Sequence, residues 1–323
     1  MLNKIFQLFF GLLIFSLALA CEAPKKESGE VELAFEMDLF PEGIAFDKKR
    51  NCIYLNSLKH SKIVSYNLTT GTHQTLLESG EHGYLPGFGM IVKEDTLYAL
   101  GNSLRQNDKR SILLMLDLNS GDYIDSYSPT DSNKMYLNDL VVSPDNIIYM
   151  TDSESNKIFK IQRPHKSVEV FLDREAVSHC NGISLSTDNS KLYLASEKGI
   201  GIIDIATKSI LNPLHADFMG NDGLKYKDGY LLGLINIWQS DPSKNGIFKY
   251  DLNPAGDSIT NKVKLLSFDE AFKIPTTFDH KGEEIFFIKN TQLDNFEEET
   301  RAIVDDNKLE PYILMNMSIP KGR

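Results

Sequence analysis

The chain is poor in cysteine and tryptophan and carries no excess of positive charge. Its 323 residues include three cysteines and one tryptophan, and 34 Lys and Arg stand against 45 Asp and Glu, for a formal net charge of −11. This balance disfavours nucleic acids and anionic lipid surfaces as partners. Cys52 and Cys180 lie far apart with no disulfide or metal spacing, so a disulfide stays open beside the interpretation that both are small buried thiols.

Long apolar runs are also absent, except at the N-terminus. Lys4 precedes an apolar run over 5–20, which ends in Leu-Ala-Leu-Ala before Cys21. The small residues before a cysteine are typical of a bacterial lipobox, which favours a signal peptide over a spanning helix. We predict a signal peptide over 1–20, lipidation of Cys21 and a polar tether over 21–30. Ordinary secretion, with Cys21 a bystander, is the alternative.

These features predict a location in the bacterial cell envelope, on the periplasmic or the outer surface. The membrane would be contacted through the lipid anchor only.

One pattern recurs along the remaining chain about every 40 to 50 residues. It consists of a short apolar strand, a turn rich in Asp, Asn and Gly, a second strand bearing Tyr or Phe, and in most copies a third strand. The six copies begin at Gly43, Gly89, Asp139, Gly182, Gly223 and Thr277. Such units cannot bury their faces alone, but they can when packed radially.

The repeat therefore predicts an all-β fold, a six-bladed β-propeller over 31–323. The segment 32–40 is expected to close the ring as an outer strand of the last blade, which also contains the strand near 311–317. The residues 294–301 are interpreted as an exposed acidic excursion, and 302–307 as a turn of helix.

Polar residues stand where the first strand of several blades begins, at Glu42, Asn138, Asn181 and Asp222. We call these four residues the channel ring, because first strands line the central channel of a propeller. Carboxylate and amide oxygens suit Ca²⁺ or another divalent oxygen-binding metal, and the absence of His and Cys disfavours zinc and copper. The alternative is a water-filled channel in which these side chains satisfy strand-end backbone groups.

The ends of the second strands open on the same face and are also polar. They read Asn56, Asn102, Asp152, Ser196, Asn236 and Asn290. About half are expected to be structural, because Asn, Asp and Ser are common turn residues. Asn236 and Asn290 are the candidates for substrate contacts.

At Pro41-Glu42-Gly43, Asn138-Asp139, Asn181-Gly182 and Asp222-Gly223 the chain resembles the gluconolactonase, regucalcin (senescence marker protein) and paraoxonase superfamily. These are six-bladed propellers with a divalent metal, usually calcium, in the channel. The resemblance implies that the channel ring holds the metal, that Asp222 also acts as general base, and that Asp139 contacts a sugar-like substrate. It implies metal-assisted attack on a lactone or ester. We expect the protein to be a monomer.

Two departures from that family pattern weaken the enzymatic interpretation. Pro86 to Gly89 stand where paraoxonases carry a channel histidine, which His82 or His179 could replace. Lys134, Met135 and Tyr136 stand where sugar-lactone hydrolases have an arginine.

A calcium-dependent hydrolase of lactones or esters is the leading hypothesis. The alternative is a non-catalytic propeller that binds a sugar, a peptide or a partner protein and holds a structural calcium. A strictosidine-synthase-like condensing enzyme lacks an identifiable base here. Trp238 could stack on a ligand at the rim or pack at a blade edge.

Overall fold

The computed structural model describes residues 29–129, 134–165, 167–238 and 240–320. The predicted signal peptide and Cys21 lie outside these residues, as does the tether up to residue 28. Within the described ranges, regular structure consists of β-strands and short 3₁₀ helices. None of the helices there is long and apolar enough to cross a membrane.

Most strands belong to six sheets, one per blade, which surround a common axis. The N-terminal strand β1 (Gly29–Leu33) belongs to the last blade. Blade 1 contains β2 (Ile44–Asp47), β3 (Cys52–Asn56), β4 (Ile63–Asn67) and β5 (His73–Leu77). Blade 2 contains β6 (Gly87–Lys93), β7 (Thr96–Asn102), β8 (Ser111–Asp117) and β9 (Tyr123–Tyr127). Blade 3 contains β10 (Leu137–Val142), β11 (Ile147–Asp152), β12 (Lys157–Gln162) and β13 (Val168–Asp173).

The remaining blades follow the same antiparallel order from the axis outward. Blade 4 contains β14 (Ile183–Leu185), β15 (Lys191–Ser196) and β16 (Gly199–Asp204). Blade 5 contains β17 (Asn221–Lys227), β18 (Tyr230–Ile235), β19 (Gly246–Leu252) and β20 (Ile259–Ser267). Blade 6 contains β21 (Phe278–Lys281), β22 (Glu284–Ile288), β25 (Tyr312–Ser318) and β1. The 3₁₀ helices lie at Glu81–Gly83, Glu175–Val177, Ala216–Phe218, Pro242–Lys244, Leu293–Asn295 and Asp306–Lys308. The predicted six-bladed propeller is confirmed.

The two ends of the described chain close the ring in blade 6. Strand β1 pairs antiparallel with β25, with Gly29 opposite Asn316 and Leu33 opposite Tyr312. The predicted closure by an N-terminal outer strand is therefore confirmed, although the strand begins and ends earlier than the segment 32–40. This pairing places the N-terminal strand as the outermost strand of blade 6 and joins the two ends of the described chain in one sheet.

Side chains reinforce this closure between blades 1 and 6. The rings of Phe46 and Phe286 stack with centroids 5.1 Å apart. The Tyr312 hydroxyl accepts a hydrogen bond from the Phe40 N–H at 2.8 Å and donates to the Met37 carbonyl at 2.8 Å. Burial of each aromatic side chain contributes on the order of 2 kcal/mol.

A short hairpin interrupts blade 6 between β22 and β25. It contains β23 (Phe296–Glu297) and β24 (Ala302–Ile303), and we call residues 293–309 the blade-6 hairpin. The exposed excursion predicted over 294–301 is exposed at Asp294 and over 297–300, but Phe296 is 8% exposed and stacks on Phe40 with centroids 4.7 Å apart. The helical turn predicted over 302–307 lies at Asp306–Lys308.

Candidate functional site in the central channel

Backbone irregularities at the starts of the inner strands direct the ring residues. The pairing register shifts between Leu137 and Leu140 in β10 and between Asn221 and Leu224 in β17. Asn138 and Asp222 occupy these equivalent bulges, and bulges re-aim side chains next to functional sites. Blade 2 has the same shift between Gly87 and Met90, where Phe88 takes the ring position.

The residue after each ring position lies where neighbouring inner strands approach most closely. A Cβ atom on Gly43 would lie 2.1 Å from the Phe88 carbonyl oxygen, and one on Gly89 would lie 2.5 Å from that of Asn138. Only glycine fits such an approach without displacement of the next blade. Blade 3 has Asp139 at this position instead.

Asp139 links three blades through its carboxylate. Its Oδ1 accepts the Leu140 N–H at 2.9 Å, and its Oδ2 accepts the Ile183 N–H at 3.2 Å and the Lys225 Nζ at 3.3 Å. The predicted substrate residue is therefore a buried side chain engaged by blades 4 and 5, and Lys225 balances its charge.

The Asp222 carboxylate is held by two amide side chains. Its Oδ2 accepts a hydrogen bond from Asn236 Nδ2 at 2.6 Å, and Asn181 donates a second hydrogen bond. Burial raises the pKa of Asp222 to about 6, against the effect of both hydrogen bonds, and the charge of Asp139 adds to the rise. Three predicted site residues, Asn181, Asp222 and Asn236, are thus in direct contact.

The other two ring residues are also buried, and one of them has an oxygen without a partner. Glu42 is 9% exposed and Asn138 is 8% exposed, and Glu42 Oε2 is buried with no hydrogen-bond partner in the described part of the chain. Burial raises the pKa of Glu42 well above its ordinary range, and the charges of Asp222, Asp139 and Glu298 raise it further. A buried carboxylate that faces another carboxylate is costly unless a cation lies between them.

The donor set fits an oxygen-binding cation. The described residues contain no group of three His, Cys, Asp or Glu side chains that could hold a metal, because the channel ring combines two carboxylates with two amides. Four side chains leave coordination positions open for water or substrate oxygens at a Ca²⁺ site of six to eight ligands.

Side chains at the ends of the second strands also form hydrogen bonds to backbone groups of neighbouring strands. Asn290 donates to Glu310 Oε1 and to the Pro311 carbonyl, each at 2.9 Å, and accepts the Ile313 N–H at 2.7 Å. Asn102 likewise donates to the Leu137 carbonyl at 2.8 Å. The structure thus brings Asn236 to the channel ring and uses Asn290 to fasten β22 to β25.

Only one of the two candidate histidines lies at the site. His179 lines a cavity of about 260 Å³ together with Asn181, Asp222 and Asn236. Its side chain is 56% exposed, and its Nδ1 lies 2.7 Å from the Ser153 carbonyl oxygen. His82 packs at a tilt against Tyr123 of the outer strand β9, with ring centroids 4.7 Å apart.

Trp238 packs at the edge of blade 5. Its backbone N–H donates to Asn245 Oδ1 at 2.9 Å, and Lys244 Nζ lies 5.1 Å from the centre of its ring. Its side chain therefore lies against its own blade, as the edge-packing interpretation expects.

Sequence reasoning missed the hydrogen-bond donor beside the ring, Tyr136. Its ring packs edge-to-face on Phe88 with centroids 4.5 Å apart, and its hydroxyl has no hydrogen-bond partner in the described residues. Burial and the charges of Glu298, Glu42, Asp222 and Glu154 raise its pKa well above the usual value. The phenol therefore stays protonated beside the ring.

The blade-6 hairpin also reaches this face of the molecule. Glu299 Oε2 accepts the Gln106 N–H of blade 2 at 2.8 Å, and Arg301 donates to the Lys59 carbonyl of blade 1. Between them, Glu298 acts electrostatically on Glu42 and Tyr136. The unusual length of the segment between β22 and β25 is the sequence signal that could have indicated this element.

Comparisons with known proteins agree with this architecture. A family model described as the SMP-30/gluconolactonase/LRE-like region matches residues 40–210. A search of curated proteins finds no significant match.

Similar solved structures include a gluconolactonase from Xanthomonas campestris, with 13% identity, a TM-score of 0.59 and coverage of 91% of this chain and 90% of that one. A PQQ-bound aldose sugar dehydrogenase from Streptomyces coelicolor has 13% identity, a TM-score of 0.59 and coverage of 91% and 99%. Virginiamycin B lyase from Staphylococcus aureus has 14% identity, a TM-score of 0.55 and coverage of 90% and 99%. At such identities these similarities show the fold alone. The family match covers more than half of the chain, and the protein therefore belongs to the SMP-30/gluconolactonase/LRE-like family of β-propellers.

Proposed function

We propose that the channel ring binds a divalent cation, by preference Ca²⁺, and that the protein hydrolyses lactones or esters there. The observation that carries the proposal is the buried Glu42 carboxylate, whose Oε2 has no hydrogen-bond partner in the described residues and which is acted on by the charge of Asp222. A divalent cation would balance the charges of Glu42 and Asp222 and would supply Glu42 Oε2 with a partner. Oxygen-only donors favour Ca²⁺, although another divalent metal of the same preference is possible.

The residues around the ring support hydrolysis. When bound, the cation would polarise the substrate carbonyl and stabilise the oxyanion that develops. Asp222 is the general base, since burial raises its pKa to about 6 and brings it close to neutral pH. Asn236 fixes the orientation of the carboxylate through its hydrogen bond to Oδ2 at 2.6 Å.

Tyr136 and Phe88 complete the proposed substrate site. The protonated phenol of Tyr136 donates a hydrogen bond to a substrate oxygen, and the edge-to-face pair of Phe88 and Tyr136 shields that bond from water. The ligand is a small lactone, ester or sugar-like molecule, and the propeller acts as a monomer.

The test combines metal removal with a substitution in the ring. Purified protein is treated with a chelator, reloaded with Ca²⁺, Mg²⁺ or Mn²⁺, and assayed on a panel of lactones and aryl esters. We expect Ca²⁺-dependent turnover that Asp222→Asn reduces by about 10² or more, as loss of a general base does. The matched control is Asp145→Asn, which makes the same change in an exposed turn after β10.

Turnover that survives both the chelator and Asp222→Asn would refute the proposal. Ca²⁺-dependent stabilisation without turnover on the whole panel would favour the alternative function. That alternative is a non-catalytic module that binds a sugar, a peptide or a partner protein and holds a structural calcium.

We also propose that Cys21 carries a lipid and holds the protein in the bacterial cell envelope, periplasmic or outer-surface. The apolar run over 5–20 and the small residues before Cys21 support this. Mass spectrometry of the mature N-terminal peptide, with detergent partition of wild type and Cys21→Ser, provides the test. An unmodified Cys21 would contradict the proposal.

A further inference from the structure

Three arginines line a second cavity between blades 1 and 2. It lies on the face of the propeller where the second strands end and the channel ring opens, which we call the mouth face. We call this cavity of about 360 Å³ the rim pocket, and its lining includes Arg105, Arg110, Arg301, Ser61, Ser103 and Pro86. The clustering is unexpected in a chain of net charge −11. We propose that the rim pocket binds a dianionic phosphate group, either as free phosphate or as the phosphate of a small ester.

Two of the three arginines have no counter-charge. Arg110 forms an ion pair with Asp108, with Nε 2.9 Å from Oδ1 and Nη2 2.6 Å from Oδ2, and the pair has no net charge. Arg105 and Arg301 form no ion pair with any described carboxylate. Glu299, whose carboxylate accepts the Gln106 N–H, does not line the pocket. The pocket therefore carries two uncompensated positive charges.

Arg301 is held in place by the fold. It ends the turn of the blade-6 hairpin with φ of 59°, a left-handed conformation that costs a non-glycine residue on the order of 1 kcal/mol. One terminal nitrogen, Nη2, donates to the Lys59 carbonyl and to Ser61 Oγ at 3.1 Å. These contacts position the guanidinium before any ligand arrives.

The guanidinium of Arg301 has more donors than the fold uses. Its hydrogen bonds start from Nη2, and its Nε is buried with no hydrogen-bond partner in the described residues. Burial lowers the pKa of Arg301, and the nearby charge of Arg105 lowers it further. An oxyanion beside both arginines would relieve the repulsion between these two like charges.

Phosphate suits this arrangement better than a single carboxylate. Arginine forks match phosphate oxygens through paired hydrogen bonds, and two positive charges balance a dianion. The cavity also has room for a small organic group beside the phosphate. Free phosphate and a sugar phosphate share this chemistry, so the experiment must separate them.

The experiment measures binding of inorganic phosphate and of glucose 6-phosphate to the folded protein by calorimetry, at constant ionic strength, with glucose and chloride as blanks. Arg105→Gln removes one free charge without touching the hairpin, and Arg301→Gln removes the other. Arg174→Gln, an exposed arginine outside the pocket, is the matched control. We expect Arg105→Gln to weaken phosphate binding at least tenfold and Arg174→Gln to leave it unchanged.

Tighter binding of glucose 6-phosphate than of phosphate supports the site and identifies an ester as its ligand. Equal binding supports the site and identifies the free anion. Absence of binding to the wild type, or equal affinities in the wild type and Arg105→Gln, overturns the proposal. Since these measurements need neither metal nor turnover, their outcome is independent of the proposed hydrolase activity.

Discussion

Substitution of Asp222 by asparagine is expected to stabilise the metal-free protein at neutral pH. Burial raises the pKa of Asp222 from 3.8 to about 6, a difference of about two units. At 1.36 kcal/mol per unit, ionised Asp222 opposes folding by about 3 kcal/mol above pH 6. The neutral amide of the variant would avoid that cost, but it would lose one acceptor for Asn181 and about 1 kcal/mol with it.

The net gain is therefore about 2 kcal/mol, with a defined pH dependence. The folded pKa is the higher one, so protonated Asp222 favours the folded state, and this stability is lost as pH rises from 3.8 to 6. The advantage of Asp222→Asn should be absent near pH 3.5, grow through that interval and stay constant above pH 7.

Thermal unfolding in a chelator provides the assay, at pH values from 3.5 to 8. A gain of 2 kcal/mol corresponds to a rise in Tm of about 3 °C for a chain of this size. Ca²⁺ should reverse the order by stabilising the wild type only. A metal-free Asp222→Asn protein that is less stable than the wild type at pH 7.5, or a difference that does not vary with pH, would refute the reasoning.

Further predictions concern the metal, the mouth and the inner strands. Glu42→Gln should abolish the Ca²⁺-dependent rise in stability, which is about 2.7 kcal/mol at a hundredfold excess over Kd, as seen by calorimetry. Tyr136→Phe should lower kcat/KM for glucono-1,5-lactone about tenfold, the value of one hydrogen bond. It should leave kcat/KM for δ-valerolactone unchanged, because that lactone has no hydroxyl groups. Tyr123→Phe on β9 is the control, and equal losses on both lactones would contradict the assignment. Gly89→Ala places a Cβ 2.5 Å from the Asn138 carbonyl oxygen and should cost about 2 kcal/mol in chemical denaturation, whereas Gly29→Ala, with no atom within 4 Å, should be neutral.

The repeating parts of the fold were accessible from the sequence because each blade repeats the same local signals. The pattern that begins at Gly43 recurs in every blade, and its apolar strands and Asn, Asp and Gly turns are read within some fifteen residues. The ring positions followed from the repeat, since equivalent residues in equivalent blades must converge on the axis.

The parts that differ between blades could not be predicted in this way. Phe296 is buried by Phe40, which lies far from it in sequence, so the hairpin looked like an exposed acidic loop. The ion pair between Asp139 and Lys225 joins blades 3 and 5, and no signal near Asp139 in the sequence indicates it. Contacts between distant segments decide these roles, and no local pattern encodes them.

The direction in which β1 runs has a consequence for how the molecule stands in a cell envelope. Strand β22 ends at the mouth, at Ile288, and begins at the opposite face, at Glu284, which pairs with Ser318 of β25. Because Gly29 pairs with Asn316 near that same end, the chain joins the propeller from the face opposite the mouth.

The eight residues 21–28 span at most about 28 Å when extended. With Cys21 lipidated, as proposed, the propeller would stand close above the bilayer with its channel mouth and rim pocket turned toward the aqueous phase. Its ligands would then arrive from solution, and lipids of the anchoring membrane would have no direct path to the site.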